Sequence, residues 1–131
     1  MDMYEDIRRA VRRMSLRDYT PFNCGGLDHC LVYNNHGEET TPAYYSYPSH
    51  QVSGADIILW KTIPKRFRRP IIFHEVAEFL LRNPSYETGI FEFDMEEAHL
   101  IAKEWDERFA EEAMDKEAFN EFISYKSMFS G

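Results

Sequence analysis

The sequence predicts a single α+β domain over residues 1–131, and three observations predict it. One short amphipathic helix opens the chain. Residues 20–56 then lose helical periodicity and fill with Pro, Gly, Asn, Ser and Tyr. From about residue 66 onward the pattern is helical again. The order helix, small sheet, three helices is that of an α+β domain.

Each element has its own signal. Tyr4 to Met14 is expected as a helix because Ile7, Val11 and Met14 recur at steps of four and three. Cys30 to Tyr33, Ala43 to Tyr47 and Ile57 to Thr62 are expected as short strands, divided by turn sequences such as Asn34-Asn35-His36-Gly37 and Pro48-Ser49. A helix from about Phe67 to Arg82 follows, with Pro70 early enough that its missing N–H does little harm, and Asn83-Pro84 stops it. A loop containing Gly89 leads through Ile90-Phe91-Glu92-Phe93 to Asp94-Met95-Glu96-Glu97. That last tetrad has the capping-box pattern, and Ala98, Ile101, Ala102, Trp105, Phe109 and Ala113 continue it as a stripe at helical spacing. A final helix from about Asp115 to Lys126 would bury Phe119, Phe122 and Ile123.

Composition excludes several classes. An apolar content of 44% and an aromatic content of 15% argue against disorder. No apolar run approaches the roughly 18 residues of a membrane span, and Met1-Asp2-Met3-Tyr4-Glu5-Asp6 does not have the pattern of a signal peptide. Cys24 and Cys30 are too few for a disulfide scaffold and too far apart for a paired zinc knuckle, so a reducing cytoplasm is the expected setting. A formal charge of −8 disfavours nucleic acid as a partner. The charge is uneven: Arg8, Arg9, Arg12, Arg13 and Arg17 cluster near the start, Lys61, Lys65, Arg66, Arg68 and Arg69 cluster in 61–69, and 92–121 is strongly acidic. These faces are expected to be solvated and to neutralise one another in part, with a basic patch for an acidic partner as the competing reading.

The segment Arg69 to Leu81 carries the chemistry. It is apolar apart from His74, Glu75 and Glu78. Burying such groups unpaired costs on the order of several kcal/mol or displaces their pKa values. A shared divalent metal is the simplest partner, and a metal-free network with the arginines of 66–69 is the competing one. His74 and Glu78 lie four apart and so share a helix face. Glu75, turned about 100° from His74, is placed to act as a general base without ligating, which is the logic of His-Glu-x-x-His metallopeptidases. Here Glu78 stands in the second histidine's position. His99, in Glu97-Ala98-His99-Leu100-Ile101-Ala102, is the preferred third ligand, giving the His₂Glu donor set of thermolysin-type sites. Glu97 is the second choice, and His29, His36 and His50 follow.

Residues 54–113 resemble the core of the zincin metallopeptidases, in particular the small gluzincin-like domains of the ImmA/IrrE group. In these a strand, here Gly54 to Trp60, precedes the motif helix, and a Glu-Ala-x-x-x-Ala helix follows it. The resemblance implies a zincin-like helical core made of a motif helix plus a third-ligand helix, a bound Zn2+ ion, and hydrolysis of a peptide or protein substrate. It also puts Glu97 at the family's ligand position, whereas the donor chemistry favours His99. Tyr44, Tyr45, Tyr47, His50 and Tyr86 are all candidates for stabilising the oxyanion. The competing function is a catalytically inactive zincin-like module, metal-binding or regulatory.

Overall fold

The computed structural model describes residues 2–35, 43–46, 54–82 and 93–128. Along the chain these form α1 (Met3–Arg13), β1 (Thr20–Cys24), β2 (Leu27–Asn34), β3 (Ala43–Ser46), β4 (Asp56–Trp60), α2 (Lys65–Arg82), α3 (Met95–Ala113) and α4 (Lys116–Ser127). The α+β expectation therefore holds, and the four strands make one mixed sheet in the order β1-β2-β4-β3. β1 and β2 form an antiparallel hairpin, β2 and β4 run parallel, and β3 closes the far edge antiparallel to β4.

β1 is the element the sequence reading missed. It is only five residues long and contains Pro21, which weakens any strand signal. Its edge position lets it tolerate the missing N–H, while Phe22 and Cys24 point to the buried face. Gly25 and Gly26 join it to β2 with φ values of 65° and 74°, the paired left-handed conformation of a type I′ hairpin turn.

Three helices start on an aspartate. Asp2, Asp94 and Asp115 each accept from the backbone N–H three residues on, satisfying one of the donors that a helix leaves open at its start. α2 begins two residues before the expected Phe67, with the Phe67 N–H donating to the Pro64 carbonyl at 2.9 Å. Pro70 is consequently its sixth residue. The carbonyl it deprives belongs to Arg66, an exposed position where water can take the missing donor's place.

α2 is the centre of the molecule, which explains why its sequence is apolar almost all round. Phe67 meets Phe122 of α4 at 5.6 Å between ring centroids. Phe73 packs between Tyr4 of α1 at 5.2 Å and Phe109 of α3 at 5.0 Å. Phe79 lies against Tyr45 of β3 and His29 of β2. Arg69 donates to the Val11 and Met14 carbonyls and so caps the end of α1. On α3 the buried row is Ala98, Ala102, Asp106, Phe109 and Ala110. The expected stripe is corrected at Ala113, which is exposed. The row turns instead through residues 98, 102, 106 and 110, four apart, and three of these are alanines that let α3 approach α2 closely.

His29 is a structural residue. It is fully buried, its Nδ1 accepts from the Ala55 N–H at 3.1 Å, and its Nε2–H donates to the Cys24 carbonyl at 3.0 Å. It thereby ties the hairpin to the start of β4. A side chain on Gly54 would come within 2.6 Å of the Asp28 carbonyl oxygen, so the backbone can approach this closely only at a glycine. Burial holds the imidazole below its ordinary pKa of 6.5, against the opposing pull of the Cys24 carbonyl. The unfolded chain therefore takes up the proton first as pH falls. The stability His29 contributes is full above about 6.5 and declines below it. Replacing His29→Phe leaves the buried Ala55 N–H without its acceptor and removes the tie to the Cys24 carbonyl, at a cost of about 1–3 kcal/mol in urea unfolding. The variant should also lose the stability decline below about pH 6.5 that the neutral imidazole imposes.

Candidate metal centre

Two helices build the centre. α2 supplies His74, Glu75 and Glu78 and α3 supplies His99 and Asp106. The pairing of His74 with Asp106 and of Glu78 with His99 shows that α2 and α3 run antiparallel at the site. Glu75 lies 9% exposed and Asp106 1% exposed. His74, Glu78 and His99 are half-buried, so the cluster sits at the rim of the core and keeps access to solvent.

His74 is held from behind. Its Nδ1–H donates to Asp106 Oδ2 at 2.7 Å, and this leaves Nε2 facing Glu78 Oε2 at 3.1 Å. Asp106 is itself anchored by Lys126 Nζ of α4 at 2.5 Å, and the same ammonium reaches Glu107 at 3.0 Å. His99 brings Nδ1 to 3.4 Å from Glu78 Oε2. Its ring meets that of His74 edge-on at 5.0 Å. Glu75 Oε2 stands 3.8 Å from His74 Nε2.

These distances suit a metal. Two ligand atoms at zinc bond lengths and a tetrahedral angle are separated by about 3.3 Å. The 3.1 and 3.4 Å separations from Glu78 Oε2 bracket that value, and all three donor atoms lie within 4.8 Å of one another. The donor set of two imidazoles and a carboxylate, with a carboxylate behind one imidazole, is what zinc sites favour.

The electrostatics point the same way. Burial alone would lower the His74 pKa, yet the hydrogen bonds to Asp106 and Glu78 outweigh it and raise the value to about 10. Burial raises the Glu75 carboxyl to about 8, against the pull of His74. Glu78 is pushed up by burial but brought below its ordinary range by the hydrogen bond and charge of His74, with His99 adding to both. The pocket thus has an excess of negative potential, and protons on His74 and Glu75 offset it at neutral pH.

Sequence reasoning brought together His74, Glu75, Glu78 and His99, and the structure groups all four. Glu97 is exposed and bound up with the Asp94 cap, and His29 is committed to the core. His36, His50, Tyr47 and Tyr86 lie outside the described residues. The arginines proposed for a metal-free network are engaged elsewhere: Arg66 with Glu121, Arg68 with the Ile63 and Lys61 carbonyls, and Arg69 with α1. Asp106 was missed. Two signals marked it: it is seven residues after His99, two turns along one face, and it interrupts a row of buried alanines.

The chain matches no protein-family model, no curated protein and no solved structure, so its functional reading rests on this geometry.

A metal entering the site must displace protons. Zinc titrated into the metal-free protein near pH 7 should release about one to two protons per ion, measured calorimetrically in buffers of different ionisation enthalpy. Asp106→Asn should weaken zinc binding about 10- to 100-fold, whereas Glu97→Ala should leave it unchanged.

Proposed function

We propose that this protein is a zinc-dependent hydrolase of metallopeptidase type, with His74, Glu78 and His99 as the metal ligands and Glu75 as the general base. The observation that carries this reading is the convergence of two imidazole nitrogens on one Glu78 oxygen at metal-site spacing, beside a further buried carboxylate. The motif helix α2 packed against β4, with antiparallel α3 returning the third ligand, supports the zincin-like arrangement that the sequence resembles.

When bound, the ion supplies Lewis acidity, polarising a carbonyl and lowering the pKa of a coordinated water towards about 7. The rest follows from the side chains. Asp106 fixes the His74 tautomer so that Nε2 is available as a donor. Burial raises the proton affinity of Glu75, and the charge of a bound cation would ionise it, leaving a carboxylate beside His74 that could take a proton and return it. Water oxygen adds to the amide carbon and its proton passes to Glu75. The C–N bond then breaks, and the leaving amine takes that proton, giving a carboxylic acid and an amine. A peptide or protein amide is the substrate class.

One observation favours a second reading, a metal-binding module without catalysis. Glu75 is only 9% exposed, which leaves little of its carboxylate open to water. The two readings diverge on one variant. Purified protein offered zinc should hold one ion per chain, and Glu75→Gln should keep that ion while losing peptide hydrolysis by about 100-fold or more. A Glu75→Gln variant as active as the parent removes the base assignment. Zinc binding with no cleavage of any member of a peptide library selects the module.

A further inference from the structure

The sequence left five residues as candidates for stabilising the oxyanion. Two of them, Tyr44 and Tyr45, are described, and they are neighbours on the edge strand β3. Side chains on a strand alternate between faces, so only one of them can face α2. Tyr44 is exposed and lies by Trp60 at 6.0 Å on the outer side. Tyr45 turns inward, with its ring 5.7 Å from that of Phe79 in an edge-on contact.

Its hydroxyl has a specific partner. Arg82 Nη1 donates to the Tyr45 oxygen at 2.7 Å. Arg82 is four residues beyond Glu78 and eight beyond His74, so the three occupy one stripe of α2, a turn apart. The pair therefore stands at the end of the row that carries two of the metal ligands. Accepting from a guanidinium withdraws electron density from the phenol oxygen and strengthens its O–H as a donor. That proton has no acceptor among the described residues. Tyr45 also feels the charges of both Glu75 and Glu78, and with burial as the larger effect its pKa lies above the ordinary 10.0 despite Arg82. The phenol is thus a protonated donor at neutral pH.

Resting on the hydrolase reading above, we infer that Tyr45 is the electrophilic catalytic residue of this site and Arg82 its positioning residue. As the water oxygen bonds to the amide carbon, the carbonyl π pair moves onto the carbonyl oxygen, and the Tyr45 O–H donates to that developing anion. Its proton is shared and not lost, so the proton balance stays with Glu75. Arg82 holds the hydroxyl in place and polarises it without touching substrate.

Methylphosphonate, a tetrahedral anion, is a suitable probe of the zinc-loaded full chain by calorimetry. It should bind once per zinc. Tyr45→Phe, which keeps the ring against Phe79, should weaken it about tenfold or more with zinc affinity unchanged, and should lower kcat by about 10²–10³ with little change in KM. Arg82→Gln should weaken the probe similarly, Arg82→Lys should recover part of the loss, and Tyr44→Phe should do nothing. Zinc-loaded protein that binds no methylphosphonate, or a Tyr45→Phe variant that binds it as tightly as the parent, overturns this inference alone. A wild-type chain that takes up no zinc overturns the metal reading on which it rests.

Discussion

The site depends on the hydrogen bond between His74 Nδ1 and Asp106 Oδ2. It joins the two helices that carry the candidate ligands, fixes which imidazole nitrogen faces the cluster, and draws a lysine from a third helix into the same network. A charged side chain as buried as Asp106 would be strongly destabilising without such partners. With them, the acid becomes the link between the packing of α2 on α3 and the chemistry of the centre. The alanines on either side of Asp106 bring the helix backbones close enough for a short carboxylate to reach His74.

The same constraint governs the electrostatics of the cluster. Three carboxylates surround His74 at close range, and two of them are buried. Removing charge from water in this way is sustained only if positive charge is returned, by a proton or by an ion. The upward displacements at His74 and Glu75 are the proton solution. A divalent cation is the alternative, and the donor spacing suits it. On the sheet side, Tyr45 of the edge strand β3 accepts from Arg82, which lies one turn beyond Glu78 on α2.

Much of this was legible in the sequence. The long apolar run of 67–82 with its Asn83-Pro84 stop, and the Asp94 capping box with the stripe behind it, located the two helices that carry the candidate ligands, because run length, breakers and caps are local signals. The His-Glu-x-x-Glu spacing placed His74 and Glu78 on one face for the same reason, and the capping box assigned Glu97 to the helix start, where its N–H donates to Asp94. What escaped depended on tertiary context. β1 is short, carries Pro21, and exists because Phe22 and Cys24 find a buried face. Asp106 lies among eleven other acidic residues of 92–121, and only the approach of α2 distinguishes it from its solvated neighbours. The pairing of Tyr45 with Arg82 joins residues 37 apart, a contact that no local pattern announces.

The central claim is that His74, Glu78 and His99 hold one divalent ion between α2 and α3. X-ray absorption at the zinc edge of the zinc-loaded protein tests it most directly. The account predicts two imidazole nitrogens and protein carboxylate oxygen in the first shell, at about 2.0–2.2 Å, with no sulfur. In His99→Ala one imidazole should disappear from that shell. A shell containing sulfur from Cys24 or Cys30, a shell unchanged in His99→Ala, or a protein that retains no zinc would contradict it.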